Sequence, residues 1–138
     1  FPKRYWIKCW NYVRKWRDFM NSYVKVFESG DYFDVCFYVD KQKIIEIGEK
    51  MNDINEYAYM NGYNWEAFFN CYLEINAPDL LEGMKTDPEA DMYVAYYDLT
   101  PENKKKSEKF AEIITSLIEN EEELYQFLRD NGDEIEWD

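Results

Sequence analysis

The chain has 138 residues, a length that predicts a single domain, since domains commonly run to about 100–150 residues. Its composition, 46% hydrophobic and 20% aromatic, supplies enough apolar surface for a core and argues against global disorder. The net charge of −13 repels phosphate backbones and argues against nucleic acid as a partner of the domain. The same charge favours association with cationic proteins, although solubility alone also accounts for an acidic surface.

The basic residues are concentrated at the start of the chain. The first seventeen residues contain six Lys or Arg and no acid, whereas the remaining 121 contain 10 basic and 29 acidic residues. A mostly apolar stripe at helical spacing predicts an amphipathic helix over residues 5–20. The stripe comprises Trp6, Cys9, Trp10, Val13 and Arg17. We therefore expect a basic aromatic N-terminal helix within residues 1–20 and a single acidic domain over residues 21–138. Such a helix either packs on the domain or lies on an anionic membrane surface.

Cysteine content and hydropathy indicate the compartment. The three cysteines, Cys9, Cys36 and Cys71, are odd in number and form no C-x-x-C pair. This pattern argues against a disulfide framework and against a thiolate metal site. Reduced thiols in a cytoplasmic protein are the simplest interpretation. No run of about eighteen apolar residues occurs, so the sequence predicts no transmembrane helix.

After the N-terminal helix, the sequence predicts a β-hairpin followed by a helix. Residues 23–27 and 33–39 are rich in Val and aromatic side chains, which favour strands. Residues 28–31 supply the turn, in which Gly30 is free to adopt a positive φ. Residues 41–57 carry Ile and Met at a spacing more typical of a helix than of a strand.

The middle of the chain predicts a turn, an aromatic helix and an acidic connector. Residues 60–63 suit a turn with a left-handed backbone at Asn-Gly, and Asn64 is expected to cap the helix that follows. The apolar stripe of this helix comprises Trp65, Phe68, Phe69, Tyr72 and Leu73. Pro78 is expected to help end it. Residues 79–91 are expected to connect to the next strand through a short helical turn.

The last part of the chain predicts a strand and a long helix. Residues 92–97 alternate in a way that places Tyr93, Ala95 and Tyr97 on one face. Residues 100–102 combine a hydroxyl cap, a proline and an acid, which start a helix. Its stripe of apolar residues continues to Leu128, and Asn-Gly at 131–132 is expected to end it. The order predicts an α+β fold: a small antiparallel sheet (hairpin plus a later strand) packed against helices, with a long C-terminal helix.

The residue content removes many kinds of chemistry. The chain contains no histidine, which excludes Ser-His-Asp and Cys-His catalysis and histidine metal ligands. Its five glycines form no phosphate-binding loop. In residues 87–91 acidic residues occupy every second position, as they do in a calcium-binding loop. However, Met92 occupies the position at which such a loop requires glycine. We predict no catalytic residue, no metal and no cofactor. A glycosidase that uses two carboxylates remains an alternative without a supporting motif.

Two sequence blocks carry a family resemblance. The first is Asn-Gly-Tyr-Asn-Trp-Glu-Ala at 61–67, and the second is Thr-Asp-Pro-Glu-Ala-Asp-Met-Tyr-Val-Ala-Tyr at 86–96, preceded by Leu-Leu at 80–81. In composition, order and spacing they resemble the immunity proteins of bacterial polymorphic-toxin systems, in the immunity protein 51 group. The resemblance implies a cytoplasmic protein that binds and neutralises a cognate toxin. The motif residues, for which we predict a structural role, are Asn61, Gly62, Trp65, Glu66, Pro88 and Tyr93.

The charge of the chain suggests where a toxin would bind. Many toxins are nucleases with basic active sites, which an acidic and aromatic surface can occupy. We predict partner-binding residues in two acidic segments: Asp87, Glu89, Asp91, Glu134, Glu136 and Trp137. The alternative function is an adaptor or regulatory protein-binding module, associated with a membrane through the N-terminal segment. The sequence leaves the toxin and the oligomeric state open.

Overall fold

The computed structural model describes residues 23–138, so the predicted N-terminal helix over residues 5–20 lies outside the described residues. Within these residues the strands are β1 (Val24–Ser29), β2 (Tyr32–Tyr38), β3 (Lys85–Thr86) and β4 (Met92–Asp98). The helices of the described part are α1 (Gln42–Ile54), α2 (Gly62–Asn76), α3 (Pro101–Glu119) and α4 (Glu121–Asn131). Two short 3-10 helices follow α2 and α4, at Pro78–Leu81 and Gly132–Glu134.

The strands form one antiparallel sheet in the order β1-β2-β4-β3. The predicted hairpin is confirmed, and Gly30 in its turn has a φ of 55°. The predicted later strand, β4, lies beside β2 and pairs Tyr93 with Phe37. The α+β fold is therefore confirmed. The edge strand β3 was not predicted, because two residues show no periodicity.

One face of the sheet carries the core. The ring of Trp65 on α2 packs edge-on against Phe37 on β2, with centroids 4.9 Å apart. Phe69 on α2 contacts Tyr93 on β4 and, at 5.6 Å, Phe110 on α3. Edge-to-face pairs of this kind add roughly 0.5–1.5 kcal/mol each beyond the area they bury. The predicted stripe of α2 is confirmed as the centre of the core, since every member except the half-buried Tyr72 is fully buried.

The predicted start of the C-terminal helix is confirmed, but its continuity is not. Thr100 caps α3 by accepting a hydrogen bond from the N–H of Asn103 at 3.0 Å. The expectation of one helix through Leu128 is wrong, because Asn120 leaves the helical conformation and separates α3 from α4. The side-chain amide of Asn120 donates a hydrogen bond to the carbonyl of Ser116 at 2.9 Å. Asn is favoured at helix ends because its side chain competes in this way with the backbone hydrogen bonds of the helix. The break lets α4 contact α1.

The cap of α2 also differs from the expectation. Asn61, rather than Asn64, is the N-cap, and its side chain accepts a hydrogen bond from the N–H of Asn64 at 3.0 Å. Gly62 is the first residue of the helix. The predicted left-handed backbone is wrong, because the positive-φ glycines of residues 23–138 are Gly30 and Gly83.

Close packing, rather than backbone conformation, explains the glycine at 62. A Cβ atom there would lie 1.8 Å from the carbonyl oxygen of Glu89 and 2.4 Å from that of Met92. The Gly62 N–H donates to the carbonyl of Ala90 at 3.0 Å. The absence of a side chain therefore lets the start of α2 press against the β3–β4 loop.

Candidate partner-binding surface

A cleft of about 350 Å³ lies between one side of α2 and the end of the chain. Carboxylates from both walls line it, and we call it the acidic cleft. Its acidic residues are Glu66, Glu74, Glu134, Glu136 and Asp138. Tyr63 and Trp137 also line it. Of the predicted partner-binding residues, the structure thus brings Glu134, Glu136 and Trp137 together, and it adds Glu66 of the family motif.

One buried side chain holds both walls of the acidic cleft. Asn64 on α2 is only 3% exposed. Its amide nitrogen donates to the carbonyl of Tyr59 at 2.7 Å, and its amide oxygen accepts from the N–H of Asp138 at 2.7 Å. Asn64 therefore links the loop before α2 to the segment that follows α4.

Trp137 is partly buried and fixed by hydrogen bonds. Its indole N–H donates to the carbonyl of Gly132 at 3.2 Å, and its backbone N–H donates to Ile135. The ring packs against the core. Trp137 therefore serves as a wall of the acidic cleft, with only part of its ring available to a partner.

The other predicted acids lie on the β3–β4 loop, outside the lining of the acidic cleft. Asp87, Glu89 and Asp91 are all exposed. Their backbone groups close the loop: the N–H of Asp87 donates to Val94, the N–H of Glu89 to Met92, and Asp91 accepts from Val39. The structure thus divides the predicted partner-binding residues into two separate groups.

A loop between α1 and α2 displays tyrosines that sequence reasoning missed. We call residues 55–63, which comprise this loop and the first two residues of α2, the tyrosine loop. Tyr57, Tyr59 and Tyr63 are 65%, 73% and 41% exposed, whereas Ala58 between the first two is fully buried. The sequence contains a signal for this surface, because three tyrosines lie within seven residues and fit neither the helical nor the strand periodicity of buried side chains. Tyrosine is over-represented among the interface residues that contribute most of the binding energy.

Hydrogen bonds fix the shape of the tyrosine loop. The side chain of Asn55 accepts from the N–H of Tyr57 at 2.9 Å, and its carbonyl accepts from Ala58 at 2.9 Å. The N–H of Asn61 donates to the carbonyl of Tyr59 at 2.9 Å. A loop fixed in this way presents its side chains with little further ordering cost on binding. Tyr59 also borders an apolar cleft of about 300 Å³, and Tyr63 borders the acidic cleft.

The family-motif residues are mostly interior. Trp65 and Tyr93 are fully buried, Asn61 caps α2, and Pro88 and Glu66 are half-buried. Within residues 23–138, neither the indole N–H of Trp65 nor the hydroxyl of Tyr93 has a hydrogen-bond partner. Burial, together with the negative charge of Glu66, raises the pKa of the Tyr93 phenol well above its usual value. Tyr93 therefore stays protonated, as a core residue.

The described thiols are poor nucleophiles. Burial raises the pKa of Cys71 in the acidic cleft, and the charges of Glu134 and Glu74 raise it further. Burial likewise raises the pKa of Cys36 to about 11. A nucleophilic cysteine needs the opposite shift. In the part of the chain from residue 23 onward, no group of Cys, Asp and Glu is arranged to hold a metal ion.

None of the helices in residues 23–138 combines the length and the apolar character that crossing a membrane requires. In comparison with known proteins, the family model of immunity protein 51 matches residues 24–133. No curated protein matches the chain. No solved structure matches it either. The family match spans most of the chain and contains both motif blocks. The chain therefore belongs to the immunity protein 51 family.

Proposed function

We propose that this protein neutralises a cognate bacterial toxin by binding it in the cytoplasm, without chemistry of its own. The family match over residues 24–133 carries the proposal, since an immunity role belongs to that family. The described residues support a binding role physically. They offer a rigid aromatic loop beside an acidic cleft, and their two thiols are not activated.

The toxin surface that fits this site is basic. Five carboxylates line one small cleft, and the tyrosine loop ends at the edge of this cleft with Tyr63. Complementary charge speeds the encounter between partners, while buried aromatic side chains supply most of the affinity. We therefore assign steering to the acidic cleft and anchoring to Tyr57 and Tyr59. The exposed Asp87, Glu89 and Asp91 remain predicted contributors from the neighbouring loop.

Binding to the toxin domain encoded beside this gene tests the proposal. The purified chain should retain that domain in a pull-down at micromolar concentration, and Tyr59→Ser should weaken the complex about tenfold or more. Tyr59 is 73% exposed, so this substitution should leave the fold intact. Absence of a complex with the unsubstituted chain would refute toxin binding.

A matched pair of charge variants tests the role of the acidic cleft. The double variant Glu134→Gln/Glu136→Gln should slow association at low salt, since both carboxylates line the cleft. The control Glu102→Gln/Glu108→Gln removes the same charge from exposed positions on α3. Equal association rates for the two variants would show that net charge alone matters and that the cleft does not steer.

A further inference from the structure

The sheet has a second face, opposite the core. Successive side chains of a strand point to opposite sides, so the neighbours of Phe37 and Tyr93 project away from α2 and α3. We call this the outer sheet face. Its central residues are Tyr32, Cys36, Tyr38, Met92, Val94 and Tyr96. Among the described residues, the core that joins the helices to the sheet includes none of these six.

The outer sheet face is aromatic and largely apolar. Tyr32 and Tyr96 pack edge-on with ring centroids 5.0 Å apart. The amino group of Lys85 lies over the ring of Tyr32, 5.4 Å from its centroid, so this charged neighbour also contacts an aromatic ring of the face. Cys36, in the middle of the face, is only 8% exposed, and the other five residues are half-buried. A sheet that is apolar on both faces requires a layer on each of them.

We propose that residues 5–20 of the same chain form this missing layer and pack their apolar stripe on the outer sheet face. Residues 1–22 are separated from β1 by Tyr23 alone, and β1 is an edge strand of the sheet. A helix of sixteen residues is about 24 Å long. A seven-residue strand such as β2 is about 23 Å long. The segment therefore matches the face in length, and its last residue is only four positions before β1.

Charge and composition both favour this occupant. The first seventeen residues carry six basic side chains and no acid, whereas the rest of the chain carries 29 acids against 10 bases. Asp34 and Asp98 lie on the outer side of the sheet beside its aromatic residues, and Asp98 also pairs there with Lys85 at 3.5 Å. Trp6, Cys9 and Trp10 of the predicted stripe supply apolar surface for the face. Apart from Arg17, which belongs to the stripe itself, the basic residues of the segment then lie toward the solvent and the acidic domain.

Thiol labelling of the 138-residue chain tests the proposal. In the double variant Trp6→Glu/Trp10→Glu, Cys36 should react with a maleimide at least about tenfold faster than in the parent protein, because the covering layer opens. Cys71 lies in the acidic cleft, on the other side of the molecule's core, and serves as the internal reference. An unchanged Cys36 rate, with an unchanged Cys71 rate, overturns the proposal.

Cross-linking of the unsubstituted protein decides the matter if the double variant unfolds and both thiols accelerate. A short homobifunctional maleimide, applied for long enough that the protected Cys36 of the parent protein reacts, should join Cys9 to Cys36 within one molecule, as peptide mass spectrometry of the monomer would show. The link should persist in Cys71→Ser and disappear in Cys36→Ser. A link between two molecules would instead identify a second copy as the occupant. Such an intermolecular link would overturn the proposal. A Cys9–Cys71 link would also overturn it, as would a Cys9 that is capped by the reagent without forming any link.

Discussion

Replacing Gly62 by alanine tests how the family motif acts. The added methyl group would meet the carbonyl oxygens of Glu89 and Met92 at 1.8 and 2.4 Å. Both are backbone atoms, so no side chain can rotate away to make room. The β3–β4 loop must instead move by more than an ångström relative to the start of α2.

The cost follows from the contacts that this movement breaks. The Gly62 N–H loses its bond to Ala90, and the loop bond from Glu89 to Met92 is distorted. Each bond contributes roughly 0.5–1.5 kcal/mol, and overpacking adds about 1–3 kcal/mol. We therefore expect Gly62→Ala to lower the free energy of unfolding by about 2–6 kcal/mol. That is a large part of the stability of a domain, which is about 5–15 kcal/mol.

Urea denaturation followed by circular dichroism measures this loss. Gly83→Ala is the matched control, because Gly83 has a φ of 78° but nothing within 4 Å of an added Cβ. It should cost only the conformational penalty, about 1–2 kcal/mol. If Gly62→Ala proves no more destabilising than Gly83→Ala, the close approach of α2 to the loop is not what requires glycine.

Four further sites give predictions that differ in sign, in size or in pH dependence. Tyr93→Phe should raise the free energy of unfolding by up to about 1 kcal/mol, because the buried Tyr93 hydroxyl lacks a hydrogen-bond partner. Tyr97→Phe should lower the free energy of unfolding by about 1 kcal/mol, because it removes a 2.5 Å hydrogen bond to the backbone carbonyl of Leu80. Asn64→Ala removes two hydrogen bonds and should cost about 1–3 kcal/mol. The Tyr23 hydroxyl donates a hydrogen bond to the Glu119 carboxylate at 2.6 Å and thereby lowers the pKa of Glu119. This bond therefore stabilises the fold at neutral pH, and its contribution to stability is lost as acid protonates Glu119. Tyr23→Phe should therefore cost about 0.5–1 kcal/mol at pH 7, a figure reduced for the exposure of Glu119, and less in acid.

The same denaturation assay checks each of these expectations. Equal effects of Tyr93→Phe and Tyr97→Phe would show that the two hydroxyls are equally satisfied. For Asn64, the exposed Asn70→Ala is a control with an expected change within about 0.5 kcal/mol, and a similar result at both positions would contradict the bridging role. A Tyr23→Phe deficit that grows as the pH falls would contradict the assigned sign.

The elements that could be predicted from the sequence depend on local signals. The hairpin was visible in two β-rich segments around Gly30, and the start of α3 in the Thr100 cap with proline after it. The core stripe of α2 was visible because its spacing is helical. Each of these signals depends on residues that are close together in the sequence, so the element can be predicted without knowledge of the tertiary structure.

The predictions that were wrong or incomplete depend on distant contacts. Gly62 was expected in a left-handed turn, but its requirement comes from carbonyl groups some thirty residues further along the chain. The acidic cleft joins α2 to the segment after α4 through Asn64 and Asp138, which are 74 residues apart. Periodicity within one segment cannot reveal such a pairing. The tyrosine loop lacked a period altogether.

Titration calorimetry with the toxin domain encoded beside this gene tests the central claim most directly. We expect a one-to-one complex with a dissociation constant of about 1 µM or tighter. We also expect the activity of the toxin to fall in proportion to the amount of complex. No heat of binding, together with toxin activity unchanged by an excess of this protein, would contradict the account.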